Sequence, residues 1–345
     1  QYPSKALVND LLISMGQSLN AISSFAFFIF LFVSLLIGIG CLTKGGDLLS
    51  DYCSALAQGL GVPSVVVGLT VVSIATSAPE LFTSISAIRS NATGLVIGNI
   101  IGSNIANIGL ILGISLLIKP IDSKNSIHPI QLILLLGTTL FFSSAFFIGD
   151  EHSLGLLYGA ILTLFIIIYL LGLSFHSLKN RVTFDHSKQD NEDNMVSGLK
   201  CLIMISIGGI LLWLGSESLV YGSTNIARMA GLPDELIGFT LIALGTSLPE
   251  LAASIALLRK NHKDMLLGNI LGSNLFNLGL VGGISGILGP IFSNVKFPWI
   301  DHLSMLLLTL SFPYCMLGKK LNRTHGIFLL AAYLTATITT WIYNS

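Results

Sequence analysis

Apolar residues fall along this chain in blocks of about 20, the length at which a helix crosses the hydrocarbon core of a bilayer. Such blocks lie near residues 24–43, 62–88, 94–118, 129–149 and 153–175, then near 198–226, 235–258, 265–288, 298–318 and 326–343. The pattern predicts an all-α integral membrane protein of ten transmembrane helices in two sets of five. The first set occupies 24–175 and the second 198–345. Residues 176–197 between them are polar and of mixed charge, with Lys179, Arg181, Asp185, Lys188, Asp190, Glu192 and Asp193. A short stretch of this kind reads as a solvated linker rather than a domain. Residues 1–23 form an N-terminal segment, moderately apolar and without the pattern of a cleavable signal.

Composition sharpens this picture. Hydrophobic residues make up 52% of the 345 and charged residues 10%, with a mean hydropathy of +0.82. A soluble domain carries roughly 25% charged residues, so this chain has too few to cover a water-facing surface. Its net charge of +0 offers nothing to nucleic acid. Cys41, Cys53, Cys201 and Cys315 are scattered among apolar segments, which is neither a disulfide framework nor a metal-binding spacing. Lys and Arg collect in the loops that follow the odd-numbered spans, such as Lys44, Lys119, Lys179, Arg259, Lys260 and Lys319. Lys5, Arg89, Arg228 and Lys296 fall on the other side. Basic loops stay cytoplasmic, so the linker is expected inside and both termini outside a cell membrane.

The chain also repeats itself. Residues 61–115 and 231–285 align without a gap at an offset of 170, with about 25 of the 55 paired positions identical. The offset crosses five spans, an odd number, so the second copy is upside down relative to the first. Inverted repeats with broken helices are the mark of secondary transporters, whose sites lie at the midplane where the copies meet.

Two acids stand in the middle of apolar blocks: Glu80 in Thr76-Ser77-Ala78-Pro79-Glu80, and Glu250 in Thr246-Ser247-Leu248-Pro249-Glu250. An ionised carboxylate at membrane depth costs at least ~2.5–3.5 kcal/mol on insertion scales and marks a functional site. No Lys or Arg is placed to pair with both, which leaves a bound cation as the simplest partner. Proline removes a backbone donor, so carbonyls near Ser73 to Thr76 and Ala243 to Thr246 are expected to lose helical partners. Carboxylates, freed carbonyls and the hydroxyls of Thr76, Ser77, Thr246 and Ser247 make the oxygen cage that Ca²⁺ prefers. The second signature is Gly98-Asn99-Ile100-Ile101-Gly102-Ser103-Asn104-Ile105-Ala106-Asn107, with its partner Gly268-Asn269-Ile270-Leu271-Gly272-Ser273-Asn274-Leu275-Phe276-Asn277. Glycines four apart allow helices to approach closely. Ser103 with Asn107, and Ser273 with Asn277, share a helix face that adds neutral oxygens. Asn99, Asn104, Asn269 and Asn274 are expected to satisfy broken backbone as much as to bind an ion.

At these two motifs the chain resembles the sodium/calcium exchanger family, within the cation/calcium exchanger superfamily, as a short microbial-type member. The resemblance implies two inverted five-helix halves around four central cation positions, and antiport of Ca²⁺ against Na⁺. It further implies Glu80 and Glu250 as shared ligands of both ions, with Thr76 and Thr246 giving carbonyls and hydroxyls. Ser77, Ser103, Ser247 and Ser273, with the carbonyls of Ser73 and Ala243, would complete outer Na⁺ positions, and Asn107 and Asn277 would line the middle one. Some microbial members carry Asp where this chain has Asn277, so the cage here holds two carboxylates. The linker is too short for the regulatory Ca²⁺-binding domains of animal exchangers. No cofactor is implied beyond the transported ions, and no partner beyond the lipid bilayer. Proton coupling and added K⁺ remain open to a site of this kind, and a cation channel is the alternative from another class.

Overall fold

The computed structural model describes residues 5–90, 92–122, 127–148, 153–179, 197–231, 243–292, 298–317 and 320–344. Most of the expected linker (180–196) and the first third of the seventh expected span (235–242) lie outside the described residues. Ten helical passages follow in chain order. They are α1 (Lys5–Leu60), α2 (Ser64–Arg89), α3 (Thr93–Ile118), α4 (Pro129–Ser144) and α5 (Leu156–Lys179), then α6 (Gly198–Met229), α7 (Leu248–Arg259), α8 (Lys263–Leu288), α9 (Pro298–Leu317) and α10 (Arg323–Asn344). A single helical turn, Ala243–Gly245, precedes α7. The sequence pattern placed the first span at 24–43, but α1 runs on through Lys44, Asp47 and Asp51 to Leu60. Its far end is held by packing against α6 and α7, which an apolar window does not register.

Two-residue strands establish that the halves are inverted. Strand β1 (Ile121–Asp122) follows α3 and pairs antiparallel with β4 (Lys320–Leu321), which follows α9. Strand β2 (Ser153–Leu154) follows α4 and pairs with β3 (Ile291–Phe292), which follows α8. Each pair is separated by an even number of spans and so shares one face, whereas β1 and β2 are separated by one span and lie on opposite faces. Shifting β1 by 170 residues lands on β3. The β1–β4 and β3–β2 pairings are therefore the same joint seen in the two halves, one on each side of the membrane.

The long helices α1 and α6 cross along a glycine seam. A Cβ at Gly38 would lie 2.9 Å from the Gly215 carbonyl, and one at Gly45 2.8 Å from the Gly208 carbonyl. Gly38 and Gly208 are repeat mates, as are Gly45 and Gly215, so the pseudo-twofold axis runs through this seam. Small residues let backbones touch where lipid supplies no hydrophobic drive. On the linker side α1 also closes against α7. Lys260 Nζ lies 2.8 Å from Asp51 and 3.5 Å from Asp47, and it donates to the Asp47 carbonyl at 3.0 Å.

Among the described residues three stretches are π-helical: Gly68–Val72 in α2, Asn107–Leu112 in α3 and Asn277–Val281 in α8. Helix breaks were expected at both prolines, yet the copies differ. Pro79 sits inside a continuous helix, whereas the chain turns at Thr246 and Ser247 before α7. Pro79 frees the Ala75 carbonyl four residues back, while the hydroxyls nearby bond to other carbonyls. In the first copy Ser73 donates to the carbonyls of Leu69 (2.7 Å) and Thr70 (3.1 Å), and Thr76 donates to Ser73 O at 3.4 Å. Ala243 stands at the mate of Ser73 and has no hydroxyl to offer.

Candidate cation site

Glu80 on α2 and Glu250 on α7 are each 1% exposed, with Thr76, Ser77, Ser103, Asn107, Ser247, Ser273 and Asn277 all buried around them. Ser73 is buried a turn before Thr76. Thr246 is half-buried in the turn before α7, and Ala243 opens the short helical turn before it. The site draws on four helices, two from each half. Ser77 Oγ donates to Glu250 Oε1 at 2.8 Å across the two halves. Thr76 Oγ1 lies 3.5 Å from Ser273 Oγ and donates to Asn269 Oδ1 at 3.4 Å. Asn107 Nδ2 donates to Asn274 Oδ1 at 3.0 Å. The π turn that begins at Asn107 packs on α7, and the one that begins at Asn277 packs on α2. The glycine motif brings α8 against α2. A Cβ at Gly272 would fall 2.5 Å from the Leu69 carbonyl and 2.7 Å from Ser73 Oγ.

What remains unsatisfied defines the chemistry. Both carboxylate oxygens of Glu80, Oε2 of Glu250, the hydroxyls of Ser103 and Ser247, and the amide oxygens of Asn107 and Asn277 are buried without a hydrogen-bond partner. An orphaned buried polar group costs about 1–3 kcal/mol, more when charged, and here seven such oxygens belong to the two carboxylates and the polar side chains around them. Among the described residues no group of three or more His, Cys, Asp or Glu is gathered as a metal cluster. The donors are therefore carboxylate and neutral oxygen, the set that suits hard cations.

Behind this layer lies another, in which Asn99 satisfies backbone as expected but the serines Ser84 and Ser254 were not singled out from the sequence. Asn99 Nδ2 donates to the Glu80 carbonyl (3.1 Å) and to Ser84 Oγ (3.0 Å), and its mate Asn269 donates to Ser254 Oγ (3.5 Å). Each half thus stitches its glutamate helix to its glycine-motif helix one turn beyond the acid. Ser84 and Ser254 were legible as identical residues at the 170 offset, since their positions match in the two copies.

A helical membrane fold of two inverted halves that meet at buried acids defines a secondary transporter. The chain belongs to the sodium/calcium exchanger protein family, whose model matches residues 25–175 and 200–342; it is accordingly a transporter and not an enzyme. It is 34% identical over 301 residues to the membrane protein MJ0091 of Methanocaldococcus jannaschii, covering 87% of this chain and 95% of that one. It is 31% identical over 340 residues to the sodium/calcium exchanger MaX1 of Methanosarcina acetivorans, covering 88% and 96%. A solved structure of the sodium-calcium exchanger NCX_Mj, soaked with zero Na⁺ and Ca²⁺, superposes with a TM-score of 0.76 at 30% identity over 90% of this chain and 99% of that one.

Proposed function

We propose that the protein exchanges Ca²⁺ for Na⁺ by alternating access, with Glu80 and Glu250 as ligands shared by both ions. The observation that carries this is the pair of fully buried, repeat-related carboxylates with three of their four oxygens unpartnered. Thr76, Ser77, Thr246, Ser247, Ser103, Ser273, Asn107 and Asn277, with the carbonyls of Ser73 and Ala243, supply the neutral oxygens. Ca²⁺ takes 6–8 of these at 2.3–2.6 Å. Two carboxylates neutralise one Ca²⁺ or two Na⁺, so the two cargoes compete for the same charge. A third Na⁺ leaves +1 in the site, and transport then responds to voltage by ~2.3 kcal/mol per charge per 100 mV. In this reading the linker is cytoplasmic and both termini lie outside the plasma membrane, an orientation that the excess of Lys and Arg in the loops after odd-numbered spans supports.

The test is ⁴⁵Ca²⁺ uptake into proteoliposomes loaded with Na⁺, with K⁺ or with acid. Uptake that requires internal Na⁺ supports the reading. Uptake driven by the acid load alone replaces it with Ca²⁺/H⁺ antiport, in which the same two glutamates carry protons. Flux that runs without a counter-ion points to a channel.

A further inference from the structure

At the site, three side-chain hydrogen bonds join the two halves, beside the hydroxyl contact between Thr76 and Ser273 in which either oxygen can donate. Ser77 donates to Glu250, Thr76 to Asn269 and Asn107 to Asn274. Each of the three ties a residue of α2 or α3 to one of α7 or α8. The 170-residue offset defines their mates: Ser247 with Glu80, Thr246 with Asn99, and Asn277 with Asn104. Those mates are not formed. Ser247 Oγ, both Glu80 carboxylate oxygens and both polar atoms of Asn277 have no partner. The Asn99 amide turns to Glu80 O and Ser84, and the Asn104 amide turns back to Ile100 O at 2.7 Å.

The outer packing is one-sided in the same sense. On the linker side a Cβ at Gly46 would lie 2.9 Å from the Ala252 carbonyl and 3.2 Å from Ala256 Cβ, and Ala256 is 4% exposed. On the opposite side the mates of Ala252 and Ala256 are Phe82 and Ser86, and both are exposed. This conformer is therefore shut towards the linker and loose on the other side.

We propose that Asn274 and Asn104 are alternating acceptors that hold the two access states. Asn107 bonds to Asn274 while the site faces away from the linker, and Asn277 bonds to Asn104 when it faces the linker. Neither acceptor belongs to the proposed ligand set; each positions an asparagine that does. The inference deepens the alternating-access reading and rests on it. An amide suits the task because it is neutral and both donates and accepts, so one bond is traded for the other in a dry core without moving a charge. An interhelical hydrogen bond in a membrane shifts such an equilibrium by about three- to tenfold.

The test reads access directly. The full chain is reconstituted with Cys41, Cys53, Cys201 and Cys315 replaced, and with a single reporter, Ser86→Cys or Ala256→Cys. A membrane-impermeant thiol reagent is applied from each side in choline medium without Ca²⁺ or Na⁺. Asn274→Ala is expected to slow labelling at position 86 and speed it at 256, changing their ratio about three- to tenfold. Asn104→Ala is expected to do the reverse, and the double variant to return towards the parent. Asn274→Ser, which keeps an oxygen acceptor, shifts the ratio less than Asn274→Ala. If both alanine variants move the ratio in one direction, or neither moves it, the proposal is overturned. If Asn274→Ala does not insert, the direction given by Asn104→Ala decides alone. The labelling involves no cargo, so failure of the Na⁺/Ca²⁺ reading appears in the flux assay and leaves this result untouched.

Discussion

Replacing Gly272 by alanine probes how closely the two halves must approach. The added methyl would sit 2.5 Å from the Leu69 carbonyl, 2.7 Å from Ser73 Oγ and 2.8 Å from Leu69 Cα. Backbone on one side and a buried serine on the other cannot step aside, so α8 must move off α2 by about 1 Å to restore ordinary contact, at a typical overpacking cost of about 1–3 kcal/mol. Helix α8 carries Ser273 and Asn277, and α2 carries Thr76, Ser77 and Glu80. The 3.5 Å contact between Thr76 and Ser273 would open by a similar amount. Ca²⁺ holds its oxygens within a 0.3 Å range, ~2.3–2.6 Å, so a shift of this size removes ligands from the coordination sphere. We expect the half-saturating Ca²⁺ concentration to rise at least about tenfold, the equivalent of ~1.4 kcal/mol, read from concentration-dependent ⁴⁵Ca²⁺ uptake in Na⁺-loaded proteoliposomes. The control is Gly137→Ala, where the site is exposed and nothing lies within 4 Å. That change gains up to about 1 kcal/mol of helix propensity and leaves uptake unchanged. If Gly272→Ala takes up Ca²⁺ with the parent's concentration dependence, the close approach does not set the site.

Glu80→Gln and Glu250→Gln should each abolish Na⁺-driven Ca²⁺ uptake, because one remaining charge cannot balance a divalent ion; parent-level flux in both would remove the acids from the site. Ser77→Ala loses a charge-assisted hydrogen bond to Glu250, worth about 1.5–3 kcal/mol. We expect apparent ion affinity to fall by more than tenfold while the protein still inserts, with an unchanged uptake curve as the opposing result. Lys260→Met breaks a half-exposed bridge to Asp47 and Asp51 worth at most about 1 kcal/mol. Labelling of Ala256→Cys should then accelerate by up to about fivefold at low salt, an effect that vanishes at high salt if the bridge is the cause.

The sequence carried the ten spans, the inversion and the paired acids, because all three are written in composition or in the constant offset of 170. It did not carry the difference between the copies. Pro79 and Pro249 occupy equivalent positions, yet one lies inside a helix that continues and the other follows a turn at Thr246 and Ser247. Nor did it carry the π-helical turns at Asn107 and Asn277, since one extra residue per turn leaves no hydrophobic signature. The length of α1 was hidden because Asp47 and Asp51 find Lys260 from the other half, a tertiary pairing that reads in one dimension as the start of a loop. The stitching of Asn99 to Ser84 was hidden for the opposite reason: each residue alone looks like an ordinary polar position in a helix.

The strand joints bear on how such a protein is made. Strand β1 emerges about 200 residues before β4, its partner, and β2 about 140 residues before β3. At a synthesis rate of ~5–20 residues per second, the first half waits in the membrane for many seconds with Glu80 inserted. Throughout that interval it lacks Ser273, Asn277 and Glu250, and β1 and β2 have no edge to pair with. A nascent chain in this state carries Glu80 without the Ser273 and Asn277 side chains and the second carboxylate that surround it in the folded protein, until α7 and α8 arrive. Co-expressed halves, separated at the linker, would show whether the waiting half survives. Degradation of the first half alone and its rescue by the second would mark the meeting of the repeats as the event that completes biogenesis.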